Sequence, residues 1–538
     1  MNAHRHSQNI PRFSILLAFI LAWATAPAAQ AQQPGPQVFT FSGAVRGAVT
    51  PAGVRVFLGI PYAAPPVGKL RWRPPVPHAP WFTPREATQF GNHCPQPPSP
   101  FGVASVTEDC LFLNVFTPDS DELFRLRPVM VWIHGGALVT GESDDYDPTA
   151  LVQDGVIVVT INYRLGALGF LAHPAFAAEK TDPDHDGDAD ANSAGNYGLM
   201  DQQLALRWVR DNIVFFGGDP LNVTIFGESA GGLSVFSQLV SPPAAQLFHK
   251  AIIESGAYNL TTQTLATAEA AGAAFATAAG CSAQTAECLR ALPVPTILAN
   301  EDSAGYTPNL DGEFLPLSLG TALATGQFHH VPVLHGTNHD EWRLFTALDF
   351  DLTAGPIPNN EPAYEAALAT LVGPAAPVVA AQYPLASFPS ADLAFAAAGT
   401  DAAFACPALA ADLSMAPYVP LSTYEFNDEN APQDFLPPVS FPYGAAHASE
   451  LQYLFTLPEP FPRPPLSPAQ LQLSSAMQHY WTNFAKFGTP NGPAVPLWPN
   501  FNPLAGNFQS LIPPAPMQET NFATAHNCAF WAAFLAAE

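Results

Sequence analysis

Positive charge is scarce in this sequence. Its 538 residues hold 19 Lys and Arg against 45 Asp and Glu, a formal net charge of −26 with only 12% charged residues. Phosphate backbones and anionic surfaces are recognised through a basic footprint, so nucleic acid is excluded as a partner. Cysteine is sparse too: six residues, none at C-x-x-C spacing, which excludes zinc-ribbon and thioredoxin-type chemistry. Long apolar runs are missing beyond the N-terminus. Alanine-rich segments such as 266–279 are interrupted by Thr and Glu, so no later membrane span is expected. Proline (58) and glycine (37) stay below low-complexity levels, and 48% hydrophobic residues suffice for a large core. The chain reads as a large, loop-rich globular protein.

His4, Arg5, His6 and Arg12 open the chain without an acid, an apolar run follows from Phe13 to Ala24, and small residues end in Ala29-Gln30-Ala31. This is the layout of a secretory signal peptide, because a dozen apolar residues fall short of the roughly 20 that span a bilayer. The expected organisation is a signal peptide over 1–31 and one α/β domain over 32–538, secreted or periplasmic after cleavage. In an oxidising compartment an even cysteine count favours three disulfides, although six cysteines allow 15 pairings.

Continuous apolar runs at Leu111–Phe116, Val129–Ile133, Val156–Asn162, Val223–Phe226, Ala251–Ile253 and Val331–Leu334 suit strands covered on both faces. Amphipathic stretches at Leu199–Ile213 and Ala469–Phe487 read as helices. Such alternation predicts an α/β fold with a large, mostly parallel central sheet flanked by helices.

The strand Val223–Phe226 runs into Gly227-Glu-Ser229-Ala-Gly-Gly232, and Leu233–Val240 reads as helix. G-x-S-x-G alone is weak. At a strand-to-helix turn it is strong, because glycines give passing backbone room while the serine hydroxyl is exposed at the carboxyl edge of the sheet. The helix start also offers free N–H groups to a developing negative charge. A serine hydroxyl needs a base to become a nucleophile, and its tetrahedral oxyanion needs donors. Val129–Ile133 followed by His134-Gly-Gly-Ala137 supplies small residues whose amides can serve as those donors.

At this point the sequence resembles the type-B carboxylesterases, the α/β-hydrolase family that includes the cholinesterases. The resemblance covers nearly all of the chain after residue 31. It rests on Gly59-Ile-Pro-Tyr-Ala63, Leu70-Arg-Trp72, Glu108-Asp-Cys-Leu-Phe-Leu-Asn114, Asn162-Tyr-Arg-Leu-Gly166, Gly198-Leu-Met-Asp-Gln202, Asn212-Ile213, Phe216-Gly-Gly-Asp-Pro220, the serine turn and Cys528-Ala-Phe-Trp531. It implies an α/β-hydrolase fold with a small N-terminal sheet, and disulfides Cys94–Cys110, Cys281–Cys288 and Cys406–Cys528. It also implies a chain order of Ser, acid, His. From the residues alone, Asp340 and Glu341 are equally good acids after the strand Val331–Leu334; the family's N-x-D-E pattern selects Glu341. Of the later histidines, His479 falls within a helix and His526 beside a cysteine, whereas His447 lies in a small-residue loop and matches the family's histidine block. The implied site is Ser229, Glu341 and His447, with oxyanion donors from Gly136, Ala137 and Ala230. Glu228 and Ser255 would stand just behind the triad. The implied function is a secreted serine carboxylesterase that works through an acyl-enzyme and needs no cofactor. A catalytically silent, partner-binding member of the same fold and a lipase or esterase for larger esters are the alternatives.

Three features depart from the family or stand outside it. The segment between Cys94 and Cys110 holds no tryptophan and one aromatic, Phe101, so the cation–π platform for a quaternary ammonium is missing. His329, His330, His335 and His339 cluster in sequence, but alternation along a strand points neighbours to opposite faces, which favours solvated or core histidines over a shared ion. Asp182, Asp184, Asp186, Asp188 and Asp190, with Gly187, fall at positions 1, 3, 5, 7, 9 and 6 of an EF-hand-like calcium loop. Position 12 is Ser193 rather than a bidentate Glu, so structural Ca²⁺ and a solvated acidic loop both remain open. A calcium loop predicts a calorimetric heat of Ca²⁺ binding that Asp184→Ala/Asp186→Ala removes; equal heats would assign the loop to solvent.

Overall fold

The computed structural model describes residues 35–119, 126–181, 194–301 and 306–535, and Pro36–Glu538 forms one compact unit. The N-terminal leader and the Asp182–Asp190 loop lie outside the described residues.

Among the described residues, eleven strands form one sheet. Seven neighbouring strands run parallel: Ile157–Ile161, Arg127–Ile133, Gly218–Glu228, Lys250–Glu254, Val333–Asn338, Leu421–Phe426 and Phe508–Leu511. Antiparallel strands finish both edges: Phe112–Pro118, Val54–Pro61 and Ala48–Val49 on one side, Met517–Glu519 on the other. A separate small sheet joins Gln37–Thr40, Gly43–Arg46 and Arg85–Glu86. This is the α/β-hydrolase architecture.

The period-two alternation of side chains explains why the central strands read as unbroken apolar runs. In Arg127–Ile133, Val129, Val131 and Ile133 enter one core with Leu206, Leu233 and Phe236, while Met130 and Trp132 enter the opposite core. The second core is roofed by the helix Pro468–Phe487, which contributes Tyr480, Trp481 and Phe484. That helix starts with a capping box between Ser467 and Gln470 and stops at Gly488, whose φ of 73° is a left-handed cap.

Motif blocks distant in sequence meet in space. The Arg71 guanidinium grips the Glu108 carboxylate at 2.7 and 2.5 Å and also donates to the Leu292 carbonyl. Arg164 grips the buried Asp201 at 2.8 and 2.7 Å. Such bidentate, charge-assisted pairs fix loop positions as well as neutralising buried charge. The three disulfides are Cys94–Cys110, Cys281–Cys288 and Cys406–Cys528, which fits an oxidising, extracytoplasmic environment.

Two expectations need correction. The strand expected at Val331–Leu334 lies at Val333–Asn338. Pro332 cannot donate to the ladder, and the polar Gly336, Thr337 and Asn338 are buried because they pair with Tyr424, Glu425 and Phe426. Two helical stretches, Glu361–Gln382 and Ala391–Met415, also reach the length and hydropathy of a membrane span, contrary to the expectation that none would. Each joins two α-helices through a short 3₁₀ or π turn, so alanine-rich pieces that look interrupted in sequence become one continuous apolar stretch. Their apolar sides meet around Tyr364, Leu368, Val379 and Phe395.

Opening the Cys94–Cys110 loop with Cys94→Ser/Cys110→Ser should lower stability by about 3 kcal/mol, as expected for a loop of this size. A fall in the thermal or urea midpoint measures it.

Candidate active site

The strands Arg127–Ile133 and Gly218–Glu228 are neighbours, yet the chain leaves them toward opposite halves of the sheet. This is a topological switch point, where a crevice opens beyond the carboxyl ends. Ile133 pairs with Gly227 in register, so His134-Gly-Gly-Ala137 and Ser229 emerge side by side.

Ser229 sits at φ 55° and ψ −120° as the last residue before the helix Ala230–Val240. Its N–H donates to the Glu254 carbonyl at 2.9 Å, and its own carbonyl accepts from Leu233 at 2.8 Å. A non-glycine residue in this region stores about 1–3 kcal/mol, which the surroundings must hold. The glycines show how. A Cβ on Gly231 would lie 1.9 Å from the Ile133 carbonyl oxygen, and one on Gly232 would lie 2.7 Å from the Glu254 carbonyl oxygen. A Cβ on Gly135 would reach Ser229 Cβ at 3.1 Å, so the two turns are packed backbone to backbone.

Gly136 and Ala137 also have positive φ, 95° and 55°. Among the described residues, the amides of Gly136, Ala137 and Ala230 donate to no protein acceptor, while the carbonyl of Gly136 accepts from Val139 and Thr140. The result is a set of free N–H groups next to the Ser229 turn.

Glu341 follows Val333–Asn338, and His447 lies in the loop after Leu421–Phe426. Glu341 Oε2 is 2.5 Å from His447 Nδ1. Its other oxygen accepts from Ser255 Oγ (2.5 Å), Thr337 Oγ1 (2.7 Å) and the Asn338 amide (2.7 Å). Four hydrogen-bond partners around one buried carboxylate fix its position. Asp340 is turned away from the imidazole: it accepts from the Ala445 amide and pairs with Arg343 at 2.8 Å. The structure therefore separates two neighbouring acids that the residues alone left equivalent.

His447 Nε2 lies 3.2 Å from Glu228 Oε1, out of line for a hydrogen bond, and is otherwise without a partner. Burial pulls this imidazole toward neutrality, but the carboxylates of Glu228 and Glu341 together push its pKa up. Glu228 is itself raised, first by burial and then by Glu450 and Glu341, against the pull of His447. Glu450 is raised by burial and by Glu341, and it accepts from Asn338 Nδ2 at 2.5 Å. Glu254 is raised too, by burial first and by Glu450 next, and accepts from Trp481 Nε1 at 3.0 Å. Glu228, Glu341 and Glu450 thus form a buried acidic nest around one imidazole, and Glu254 interacts with Glu228 and Glu450.

Phe345 and Phe404 wall that imidazole, each ring centred 5.0 Å away. Phe101 meets Phe435 at 5.6 Å. Sequence reading missed Phe404, Glu254 and Glu450 as neighbours of the site. Phe404 sits on the π turn between two helices, and no spacing rule marks it. His479 is on the surface of its helix, and His526 is buried between two carboxylates. The four histidines near residue 335 do not converge: His335 meets Asp412 at 2.7 Å, His329 the Ser241 carbonyl and His330 the Gly326 carbonyl.

A sheet of this topology, with a serine on a strained strand-to-helix turn at its switch point, defines an α/β-hydrolase-type ester hydrolase. Comparison with known proteins makes the assignment specific. The family model described as "Carboxylesterase family" matches residues 34–531, and the chain belongs to that family. It is 37% identical to the para-nitrobenzyl esterase of Bacillus subtilis (strain 168), over 86% of this chain and 92% of that protein. It is 34% identical to the cocaine esterase of Homo sapiens, over 89% and 87% respectively. A solved PNB esterase structure superposes with a TM-score of 0.74 at 35% identity, covering 90% of this chain and 97% of the other. The protein is a carboxylic ester hydrolase.

Glu228→Gln removes a charge that favours the protonated ring, so His447 must titrate lower. An NMR titration of its ring should place the midpoint about one pH unit below wild type, a typical effect of one nearby carboxylate.

Proposed function

We propose that this chain is an exported serine carboxylesterase in which Ser229, His447 and Glu341 act as a triad. The observation that carries this reading is the imidazole of His447, held at Nδ1 by Glu341 with Nε2 turned to the strand end that bears Ser229. In this mechanism Nε2 takes the hydroxyl proton while Oγ bonds to the ester carbonyl carbon. The carbonyl oxygen becomes an oxyanion, received by the amides of Gly136, Ala137 and Ala230. Collapse expels the alcohol, which carries away the proton from His447, and water repeats the sequence on the acyl-enzyme to release the acid. Glu341 fixes the ring tautomer and stabilises the imidazolium. Ser255 fixes Glu341 in turn, and Glu228 sets the basicity of the ring.

Phe345 and Phe404 against the imidazole favour esters with an apolar or aromatic group on one side of the carbonyl. The para-nitrobenzyl and cocaine esterases, by name, act on esters of that kind. The basic start, short apolar run and Ala-x-Ala of residues 1–31 support export with cleavage near Ala31. The aspartates at 182–190 are retained as a proposed calcium loop.

Ser229→Ala should reduce turnover of p-nitrophenyl acetate and butyrate by roughly ten-thousand-fold or more, with the folded state unchanged by circular dichroism. A variant as active as wild type would refute the triad.

A further inference from the structure

A second set of chemistry-bearing side chains gathers behind the acid loop, away from the serine. His339 stands just after Val333–Asn338, Glu425 lies in Leu421–Phe426, and His526 lies beside the Cys406–Cys528 disulfide. Each offers a ligand atom, and these atoms all lie within 4.8 Å of one another. Nothing in the numbering brings them together; 187 positions separate the two histidines.

The two rings are oriented alike. His526 Nδ1 meets Asp401 Oδ1 at 2.6 Å, and its Nε2 meets Glu425 Oε1 at 2.6 Å. His339 Nδ1 meets Asp340 Oδ1 at 3.1 Å, which leaves Nε2 as its free nitrogen. An imidazole held at one nitrogen by a carboxylate, with the other facing a second carboxylate, is the arrangement that orients metal-binding histidines. Both orienting acids are themselves fixed: Tyr383 donates to Asp401 at 2.6 Å, and the Ala445 amide and Arg343 hold Asp340.

The cluster is also short of positive charge. Among the described residues, Asp340, Asp401, Glu425 and Glu519 have Arg343 as their one guanidinium partner, beside His339 and His526. Glu519 Oε1 is buried without a hydrogen-bond partner among the described residues, and Glu519 Oε2 sits 3.4 Å from the Asn427 amide, which also serves Glu425.

We propose that His339, Glu425 and His526 bind one divalent transition-metal cation of the zinc class, with Asp340 and Asp401 orienting the rings. Two nitrogens and one carboxylate oxygen suit three positions of a tetrahedral site, with water as the fourth ligand on the exposed side. Metal–ligand bonds of about 2.0–2.2 Å at tetrahedral angles put ligand atoms roughly 3.3–3.5 Å apart. The His526–Glu425 contact must therefore open by somewhat under 1 Å, with the intervening proton released to solvent. His339 is 38% exposed and provides the entry side. The ion would tie the chain end at His526 to the loop that carries Glu341.

The test uses the full chain, stripped with a chelator and dialysed, then titrated with Zn²⁺ by calorimetry and with Co²⁺ by visible absorption. Wild type should bind one zinc tightly, with a Kd below about 1 μM, and show cobalt ligand-field bands. His339→Ala and Glu425→Gln should each weaken zinc binding at least about tenfold and abolish those bands. His339 is partly exposed, so its variant serves if Glu425→Gln does not fold by circular dichroism. A wild type with no zinc uptake at this affinity would overturn the site and leave a buried imidazolium between carboxylates. Equal zinc affinity in wild type and His339→Ala would place the ion elsewhere, the acidic 182–190 loop included, and would also overturn it.

Discussion

The turn at Ser229 imposes the tightest constraint on the rest of the molecule. A residue with a side chain is held at φ 55° between a buried strand and a buried helix, where only unusually close neighbours can keep it. Those neighbours are backbones. Gly231 lies against the carbonyl of Ile133, Gly232 against that of Glu254, and Gly135 against the serine itself. The turn therefore fixes the spacing of the three central strands, and those strands fix it. Neither could be changed alone, and this mutual dependence is how a strained serine persists inside a packed α/β sheet.

Around that turn, electrostatics works by concentration of like charge. Three glutamates, Glu228, Glu341 and Glu450, act on His447, Glu254 interacts with two of them, and the four are not equivalent. Glu341 is saturated with donors and remains an acceptor, whereas burial and mutual repulsion push Glu228, Glu254 and Glu450 toward holding protons. The imidazole thus has Glu341 hydrogen-bonded at Nδ1 and Glu228 beside Nε2, on opposite nitrogens. A ring placed so can gain and lose a proton without moving, which suits the proposed two-step cycle. The His526 cluster repeats the theme nearer the surface, with several acids gathered around an imidazole.

Much of this was legible in the residues. The central strands were visible because strands covered on both faces need uninterrupted apolar side chains, and the serine turn because strand, glycines, serine and helix are contiguous. The paired motif blocks were visible as words, but not that Arg71 would answer Glu108, or Arg164 answer Asp201. Reading failed where burial overrode composition. Gly336-Thr337-Asn338 looked like loop yet forms strand, since its polar groups find partners on the neighbouring strand. The alanine-rich helices looked broken because a 3₁₀ or π turn bridges their halves.

By itself, then, the sequence determined the α/β class, the position of the strained serine turn and the family, because each is written in contiguous residues whose local conformation follows from their chemistry. Only the tertiary structure decided which of Asp340 and Glu341 faces the imidazole, which aromatic rings wall it, and that His339, Glu425 and His526 share one space. Those are relations between strand ends and loops that stand 43 (Phe404 and His447) to 187 (His339 and His526) residues apart, although Asp340 and Glu341 themselves are adjacent. Even there, two adjacent side chains diverge because one finds Ser255 and Thr337 while the other finds Ala445 and Arg343. Spacing along a chain carries local conformation; convergence across a sheet depends on strand order and register.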